Sequence, residues 1–237
     1  MSTNYCGRFA PSPTGDLHFG SLVAAVGSYA QALVNQGQWL LRIEDIDPAR
    51  ERKGAAKRQI EDLNRFGLTG TNTVDYQSRH RQRHEQVIED WLGRGLAFEC
   101  GCSRSELPAS GIYPGTCRNG LPPGKHARSI RFRVPDREIE FYDAIHGRQH
   151  ENLVETSGDF VIRRADGLIA YQLAVVVDDA DDGITEVVRG ADLLNSTARQ
   201  ILLWRTLGIQ PPKWVHVPLI VDASGQKLSK SSRADPV

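Results

Sequence analysis

The sequence predicts an α/β fold built on an open parallel sheet, and three successive segments support this prediction. Residues 5–9 have the pattern of a short strand, residues 22–33 place apolar side chains at helical spacing, and residues 39–43 are an apolar run of strand length. Strand, helix and strand in this order are typical of a crossover between parallel strands. Because ligands of such sheets bind beyond the carboxyl ends of the strands, the loops after residues 9 and 43 are expected to share one crevice.

The composition limits the size, the partners and the location of the protein. At 237 residues, the chain can form one elaborated domain or two small ones. Its formal net charge of zero gives no bulk attraction for nucleic acid, so such a partner would have to be recognised by a local patch. The sequence contains no long apolar run and no signal-peptide pattern at its beginning, so we predict a cytoplasmic protein that does not enter a membrane.

The segment that joins the first strand to the first helix is rich in proline and glycine. From Arg8 to Ser21 it reads Arg-Phe-Ala-Pro-Ser-Pro-Thr-Gly-Asp-Leu-His-Phe-Gly-Ser. Its prolines fix the backbone, while Gly15 and Gly20 allow the backbone to approach a ligand closely. His18 and the free amides beside it are expected to face whatever binds at the helix start, a position that suits a phosphate.

Two helices are predicted after the second strand, over residues 55–66 and 78–94. Both carry many arginines and lysines. The second helix begins with a basic cluster made of Arg79, Arg81, Arg83 and His84. We expect this cluster to be a solvated helix face.

The character of the chain changes at residue 99. Cysteines, glycines and prolines come first, and short alternating segments such as residues 129–134 follow. We therefore predict a β-rich module over residues 99–157, inserted between two halves of the parallel-sheet domain, residues 1–98 and residues 158–237.

Residues 168–177 form a continuous apolar run, which is compatible with either a buried strand or a buried helix. The run ends in an acidic cluster that contains Asp178, Asp179, Asp181 and Asp182. These carboxylates could bind magnesium, but acidic side chains at the end of a buried run are more typical of solvated or capping groups.

The end of the chain returns to the regular pattern. A strand over residues 184–189, a helix over residues 196–207 and a strand over residues 215–221 are predicted. The last strand leads into a loop rich in glycine and serine that carries Lys227 and Lys230. Mobile ammonium groups in such a loop would stabilise charge on a polyphosphate during phosphoryl or nucleotidyl transfer.

The four cysteines fall into two groups. Cys6 stands alone in the first strand and is expected to be a small buried side chain. Cys100, Cys102 and Cys117 lie close together in the sequence, which favours metal ligation over disulfides in a chain without an export signal. Three thiolates suit zinc, and from the residues alone the fourth ligand could be His126 or a water molecule.

Two motifs carry a resemblance to a known family. Residues 11–20, Pro-Ser-Pro-Thr-Gly-Asp-Leu-His-Phe-Gly, resemble the first signature of class I aminoacyl-tRNA synthetases in its glutamyl form, and residues 227–231, Lys-Leu-Ser-Lys-Ser, resemble the second. The resemblance implies a Rossmann-type catalytic domain, with residues 99–157 as an inserted zinc-containing α+β module similar to an acceptor-binding module. It also implies that the two signatures bind ATP, used with Mg²⁺, from opposite sides.

The resemblance assigns roles to the residues of the two signatures. The reaction is attack of an amino-acid carboxylate on the α-phosphate of ATP. His18, Lys227 and Lys230 would be catalytic and would stabilise the transition state without covalent participation. The residues implied in ATP binding are His18, Gly20, Ser21 and Lys230.

The resemblance also implies a binding site for glutamate. The positions that match glutamate-binding residues of the glutamyl family are Arg8, Ala10, Ser12, Glu44, Tyr171 and Arg189. Glu44 would bind the ammonium group, while Arg8, Tyr171 and Arg189 would share the two carboxylates. Which of them binds which carboxylate is left open, and an arginine would do so best with two parallel hydrogen bonds.

Over essentially its whole length, the chain resembles one branch of this family, the glutamyl-Q tRNA(Asp) synthetases. This implies activation of L-glutamate to glutamyl-adenylate and its transfer to the queuosine base at the wobble position of tRNA(Asp). It further implies one structural zinc ion per chain, with Tyr113 as the fourth ligand beside the three cysteines, and a monomeric enzyme. Members of the branch activate glutamate unaided, whereas glutamyl-tRNA synthetases require tRNA.

Two other readings stay open. The first is a truncated glutamyl-tRNA synthetase that charges a tRNA 3′ end; the cysteine and tyrosine pattern and the missing helical anticodon-binding region disfavour it. The second is a non-enzymatic RNA-binding relative, which is disfavoured because His18, Glu44 and Lys230 are all present. Members of the branch usually extend further past the second signature than this chain does.

Overall fold

A computed structural model describes residues 5–220 of the protein and shows an α/β architecture. The helices in this range are α1 (Phe19–Val34), α2 (Ala55–Arg65), α3 (Arg81–Gly93), α4 (Leu153–Thr156), α5 (Tyr171–Asp181) and α6 (Thr197–Thr206). The strands are β1 (Cys6–Phe9), β2 (Gln38–Ile43), β3 (Asp75–Tyr76), β4 (Ala97–Cys100), β5 (Ser129–Phe132), β6 (Glu138–Asp143), β7 (Gly147–Asn152), β8 (Phe160–Arg163), β9 (Glu186–Gly190) and β10 (Lys213–Val217).

Two parallel groups of strands lie side by side and carry the site. In the first group, β1 pairs with β2 and β2 with β3, all in parallel. In the second group, β10 is parallel to both β9 and β6, and β7 closes the edge as an antiparallel strand. The amide of Thr185, just before β9, donates to the Cys6 carbonyl at 2.8 Å and so brings β1 beside β9. The α/β class and the parallel sheet predicted from the sequence are confirmed.

A separate antiparallel sheet, in the order β4-β5-β8, supports the cysteine cluster. Residues 99–157 do not all stay with that sheet, because β6 and β7 belong to this range and pair with the second parallel group, where Asp143 lies opposite Trp214. The division of the chain into residues 1–98, 99–157 and 158–237 remains a prediction.

The apolar run over residues 168–177 becomes helix α5, which decides between the strand and the helix that the sequence left open. Its residues from Leu173 to Val177 are all buried, because α5 packs against α3, α6 and β8. A helix that is apolar on every side cannot be distinguished from a buried strand by periodicity. The last predicted strand begins earlier than expected, at Lys213, and ends at Val217.

The helix predicted over residues 78–94 is divided into a short 3-10 helix, Gln77–His80, and α3. The expectation of a solvated basic face is wrong for His84, whose side chain is fully buried. His84 packs inward because its ring bonds a buried carboxylate, Asp178, at 2.6 Å. Arg81 and Arg83 are exposed, as predicted.

The core has two main parts. One lies between α1, β1 and β2 around Trp39, and the other between α3, α5, α6 and the strands around Trp91 and Trp204. The Trp91 and Phe132 rings meet edge to face with their centroids 5.0 Å apart. Cys6 is buried, as expected for a lone cysteine in the first strand. None of the helices found in residues 5–220 has the length and apolar character required to cross a bilayer.

Candidate active site

The loop between β1 and α1 ends at His18, which caps the helix. His18 Nδ1 accepts a hydrogen bond from the Ser21 amide at 3.1 Å, so the expectation of free amides beside His18 is wrong at Ser21. Gly20 makes room for this ring, because a Cβ atom there would lie 3.1 Å from two atoms of the imidazole. Gly15 has φ 152°, a conformation that glycine adopts far more readily than other residues.

Gln59 of α2 also fixes the loop between β1 and α1. The side-chain amide of this residue donates to the Ser12 carbonyl at 3.1 Å and to the Gly15 carbonyl at 2.6 Å. The Glu44 amide donates to the Pro11 carbonyl at 3.0 Å and joins the loop to the end of β2. Sequence reasoning missed Gln59, since a glutamine within a polar helix gives no local sign of being fully buried.

A cavity of about 300 Å³ lies at the carboxyl ends of β1, β2 and β9. It brings together all six residues predicted to bind glutamate, namely Arg8, Ala10, Ser12, Glu44, Tyr171 and Arg189. His18, Gly20 and Ser21, predicted to bind ATP, line it as well. A second cavity of about 410 Å³ adjoins it and shares Glu44 and Tyr171. Lys227 and Lys230 lie outside the described residues.

A larger cavity of about 890 Å³ lies elsewhere, between β6, β10 and the end of α6. Its lining includes Tyr142, Arg205 and Trp214 but, among residues 5–220, none of those predicted to form the site. Size alone would therefore select the wrong place, and the convergence of charged groups identifies the smaller cavity as the candidate site.

A buried ionic network forms one end of the smaller cavity. Arg8 Nε donates to both Asp179 carboxylate oxygens at 3.0 and 3.1 Å. Arg42, also buried, bonds Asp179 and reaches Asp182 at 2.7 Å. A ligand carboxylate would therefore have to meet Arg8 at its terminal nitrogens.

Where the acidic cluster meets this network, its carboxylates are neither solvated nor helix-capping groups. Asp178 and Asp179 are buried, and Asp178 accepts hydrogen bonds from Gln77 at 2.6 Å and pairs with His84 and His80. Because these carboxylates are engaged by cationic and polar side chains, the geometry gives no support to magnesium binding there. The sequence showed the cluster but not its partners.

Glu44 lies at the edge of the same network, immediately after β2. It is 7% exposed, and its nearest carboxylate oxygen is 3.9 Å from Arg42 Nη2. Burial raises the pKa of Glu44 to about 7, although Arg42 and Arg8 act in the opposite direction. A ligand ammonium beside Glu44 would favour its ionised form.

The opposite end of the cavity is formed by Arg189 of β9. Its Nε donates to His216 Nε2 at 3.0 Å and its Nη1 to Gln200 Oε1 at 2.6 Å. Its Nη2 donates to Thr197 Oγ1 at 2.9 Å and to the Leu193 carbonyl at 3.3 Å. Four of the five guanidinium N–H groups thus bond the protein, and at most one is left for a ligand.

This arrangement bears on the choice between the two arginines, which the sequence leaves open. With at most one remaining N–H group, Arg189 cannot hold a carboxylate by two parallel hydrogen bonds, so Arg8 is the better candidate for that role. Burial lowers the pKa of Arg189 and raises the pKa of Tyr171 beside it. The two residues lie on different elements and are joined through Gln200, which also contacts Tyr171.

The structure also brings the three clustered cysteines together. The Sγ atoms of Cys100, Cys102 and Cys117 lie within 4.8 Å of one another, and those of Cys102 and Cys117 are 3.7 Å apart. Tyr113 is buried, with its Oη 3.4 Å from Cys100 Sγ. His126 is exposed and does not belong to this group. Of the two side chains considered as a fourth ligand, Tyr113 is therefore the one in place.

The surroundings of Cys100 favour a thiolate. Burial opposes its ionisation, but hydrogen bonds from Tyr113, the Cys102 backbone and Arg131 lower its pKa to about 7. Arg131 Nε lies 3.3 Å from Cys100 Sγ, and its guanidinium carbon lies 3.9 Å from the centre of the Tyr113 ring. Three thiols and a phenol at these distances form a donor set that fits a zinc ion.

Comparison with known proteins agrees with this site. The family model for the catalytic domain of class I tRNA synthetases (E and Q) matches residues 6–110 and 117–235. The chain therefore belongs to the class I tRNA synthetases of the glutamate and glutamine group.

Curated relatives confirm the more specific resemblance that the sequence motifs predicted. The glutamyl-Q tRNA(Asp) synthetase of Pseudomonas aeruginosa is 51% identical over 241 residues, which cover 100% of this chain and 81% of the relative. The protein of the same name from Xanthomonas campestris pv. campestris is 52% identical over 237 residues, with 100% and 79% covered.

Two solved structures share the fold. A glutamate tRNA ligase from Elizabethkingia meningosepticum, in complex with its amino acid, aligns with a TM-score of 0.86 at 30% identity and covers 99% of this chain. The glutamate-tRNA synthetase from Elizabethkingia anophelis aligns with a TM-score of 0.85 at 30% identity and covers 96% of this chain. The chain spans 54% and 53% of those two proteins, about half of their length.

Proposed function

We propose that this protein activates L-glutamate with ATP and transfers the glutamyl group to the queuosine base of tRNA(Asp). That it is a ligase of the aminoacyl-tRNA synthetase type follows from its family. The observation that carries the choice of amino acid is the single cavity in which Arg8, Glu44 and Arg189 converge beside His18. The full-length similarity to relatives named glutamyl-Q tRNA(Asp) synthetase supports the choice of acceptor.

In the proposed reaction, the cavity residues bind and orient glutamate for attack on ATP. Glu44 binds the ammonium group, and Arg8 and Arg189 bind the carboxylates. An α-carboxylate oxygen of glutamate forms a bond to the α-phosphorus while the bond from that phosphorus to the pyrophosphate oxygen breaks. His18, with Lys227 and Lys230, stabilises the charge of this transition state, and ATP enters with Mg²⁺.

The activation step is tested by glutamate-dependent exchange of labelled pyrophosphate into ATP. We expect exchange without any tRNA, because the branch that the chain resembles activates glutamate unaided. A complete lack of exchange under these conditions would contradict the proposal. Exchange that requires tRNA would instead favour the alternative function, the charging of a tRNA 3′ end.

The acceptor is tested by transfer of labelled glutamate to tRNA(Asp) with and without queuosine. The sharpest substrate is an anticodon-arm fragment, since it lacks the acceptor stem of the full tRNA. We expect labelling of the queuosine-containing tRNA and of its fragment, and none of the unmodified forms. Labelling of full-length tRNA regardless of queuosine would contradict the proposed acceptor.

We also propose that Cys100, Cys102, Tyr113 and Cys117 hold one structural zinc ion. A bound zinc ion would replace the thiol protons and fix the loop beside the β4-β5-β8 sheet. We further expect the protein to be a monomer and this region to contact the tRNA.

The zinc proposal predicts the metal content of single variants. Cys100→Ser should reduce zinc from about one ion per chain to a small fraction of that value, because three-ligand sites bind structural zinc poorly. Cys6→Ala is the matched control, since Cys6 is a buried cysteine of another strand and should keep the zinc. Equal zinc content in both variants, measured by atomic emission, would refute the cluster as a site.

A further inference from the structure

A chain of buried hydrogen bonds runs from Asp143 through His216 to Arg189. Asp143 Oδ2 lies 2.6 Å from His216 Nδ1, and Arg189 Nε lies 3.0 Å from His216 Nε2. Both Asp143 and His216 are fully buried. Neither residue lines the cavity, and neither was singled out from the sequence.

The chemistry of the two outer groups fixes the state of the imidazole between them. An arginine Nε carries a proton and can only donate, so His216 Nε2 must accept. A carboxylate can only accept, so His216 Nδ1 must carry the proton. The ring is therefore neutral, in agreement with the lowering of the His216 pKa to about 4, mainly by burial.

Asp143 is held rigidly on its own side. Its Oδ1 accepts from the amides of Ile145 at 3.0 Å and His146 at 2.9 Å, and its Oδ2 also accepts from the His216 amide at 3.1 Å. The carboxylate thus joins the end of β6 to β10 and orients the imidazole ring. Because its oxygens accept from the backbone of the turn after β6 and from the backbone of β10, the carboxylate is fixed in place, and its hydrogen bond to His216 Nδ1 restrains the ring.

We propose that His216 and Asp143 are positioning residues for glutamate, which orient the Arg189 guanidinium towards the cavity without neutralising it. A carboxylate in direct contact with Arg189 would compete with the carboxylate of the substrate. The neutral imidazole instead supplies an acceptor and keeps the Asp143 charge one ring further away. This inference rests on the proposed function, because it assigns Arg189 a glutamate carboxylate as its partner.

The obvious alternative is that the pair serves only to join β6 to β10. The two roles differ in their consequences for substrate binding. If the pair only joins the strands, its loss should reduce the amount of folded, active enzyme and therefore the maximal rate, and it should leave the KM values for glutamate and ATP unchanged. A positioning role should affect the KM for glutamate and leave the KM for ATP nearly unchanged.

The test uses pyrophosphate exchange by the full chain and by two His216 variants. His216→Phe keeps an aromatic ring but removes the side-chain hydrogen bonds to Asp143 and Arg189 and the contact with Thr197, whereas His216→Gln keeps a side-chain acceptor for Arg189. We expect the KM for glutamate to rise about 10- to 100-fold in His216→Phe, the range for losing one hydrogen bond to a charged group. His216→Gln should recover part of this loss, and the KM for ATP should change by less than about threefold in both.

Val215→Ala provides the matched control for stability. Val215 is the buried neighbour of His216 in β10, and its side chain points to the other face of the strand. This variant should unfold at a lower temperature but keep the wild-type KM for glutamate. If His216→Phe does not fold, Asp143→Asn is measured in the same way, with the same expected rise in the KM for glutamate.

The outcomes separate this inference from the proposed function. If the wild-type protein shows no glutamate-dependent exchange, the proposed function fails. If the wild-type protein is active and the folded His216 or Asp143 variant keeps its KM for glutamate, the positioning role is wrong and the proposed function stands. Equal increases in the KM values for glutamate and ATP would also overturn the positioning role.

Discussion

The two arginines at opposite ends of the cavity are held in different ways. Arg8 donates to the Asp179 carboxylate, whereas the four hydrogen bonds of Arg189 all go to uncharged acceptors. Arg8 therefore has its counter-charge within the protein. Arg189 is a buried cation whose direct hydrogen bonds supply no negative charge.

This difference gives the cavity two electrically distinct ends. At the Arg8 end, Arg8 and Arg42 face four acidic side chains, namely Glu44, Asp178, Asp179 and Asp182. The acidic excess suits an ammonium group and agrees with the raised pKa of Glu44. At the Arg189 end, the uncompensated cation suits a carboxylate. An amino acid with an additional carboxylate could place its ammonium group at the Arg8 end and a carboxylate at the Arg189 end.

The largest predicted effect is at the ionic end. Arg8→Ala should raise the KM for glutamate about 100-fold, because it removes a ligand contact and leaves Asp179 with one fewer cation. The KM for ATP should change by less than about threefold, since ATP binds on the His18 side. Exchange kinetics with each substrate varied in turn measure both values. Equal increases in the KM values for glutamate and ATP would show that Arg8 does not belong to the glutamate site.

The next effect is a pH dependence that belongs to the ionic end alone. Glu44 must be ionised to bind the ammonium group, and with its pKa at about 7 the ionised fraction falls about tenfold from pH 8 to pH 6. The KM for glutamate should therefore be about tenfold higher at pH 6 than at pH 8. His216, with a pKa of about 4, stays neutral over this range and adds no dependence at the Arg189 end.

Glu44→Gln is the control for this pH profile. The variant should bind glutamate weakly at every pH, and the slope between pH 6 and pH 8 should disappear. A profile that keeps its slope in Glu44→Gln would show that another group titrates, and the ionic end would lose its assigned role.

The smallest predicted effect is on the His18 side of the cavity and should not change glutamate binding at either end. In Gly20→Ala, the new Cβ atom would lie 3.1 Å from the His18 ring and displace it slightly. We expect kcat to fall about three- to tenfold with the KM for glutamate unchanged, because His18 acts on the transition state. Gly93→Ala in α3 is the control, since a Cβ atom there meets nothing within 4 Å. If the KM for glutamate rises in Gly20→Ala but not in Gly93→Ala, His18 acts at the amino-acid end of the cavity instead.

The crossover and the cavity could be predicted from the sequence because both depend on local patterns. The order strand, helix, strand determines where the carboxyl ends of β1 and β2 lie, and this brings Arg8 and Glu44 to one edge. The resemblance to a family then added Tyr171 and Arg189, which lie far along the chain. The structure places all four around one cavity.

The side chains that support the cavity could not be predicted in the same way. The sequence predicts a solvated basic face that includes His84, because a histidine among arginines gives no sign of a buried partner 94 positions away. Asp143 and His216 are 73 positions apart and meet only because β6 pairs with β10. Such contacts depend on strand order, which single segments do not specify.

The central claim is that the two ends of the cavity together bind free L-glutamate, with Arg189 supplying the uncompensated cation. Titration calorimetry of L-glutamate, without tRNA, into the wild-type protein and into Arg189→Gln tests it most directly. Glutamine keeps a polar side chain but removes the charge, so we predict saturable binding of one glutamate by the wild type and an affinity at least about tenfold lower in the variant. Equal affinities, or no binding to the wild type, would contradict the claim.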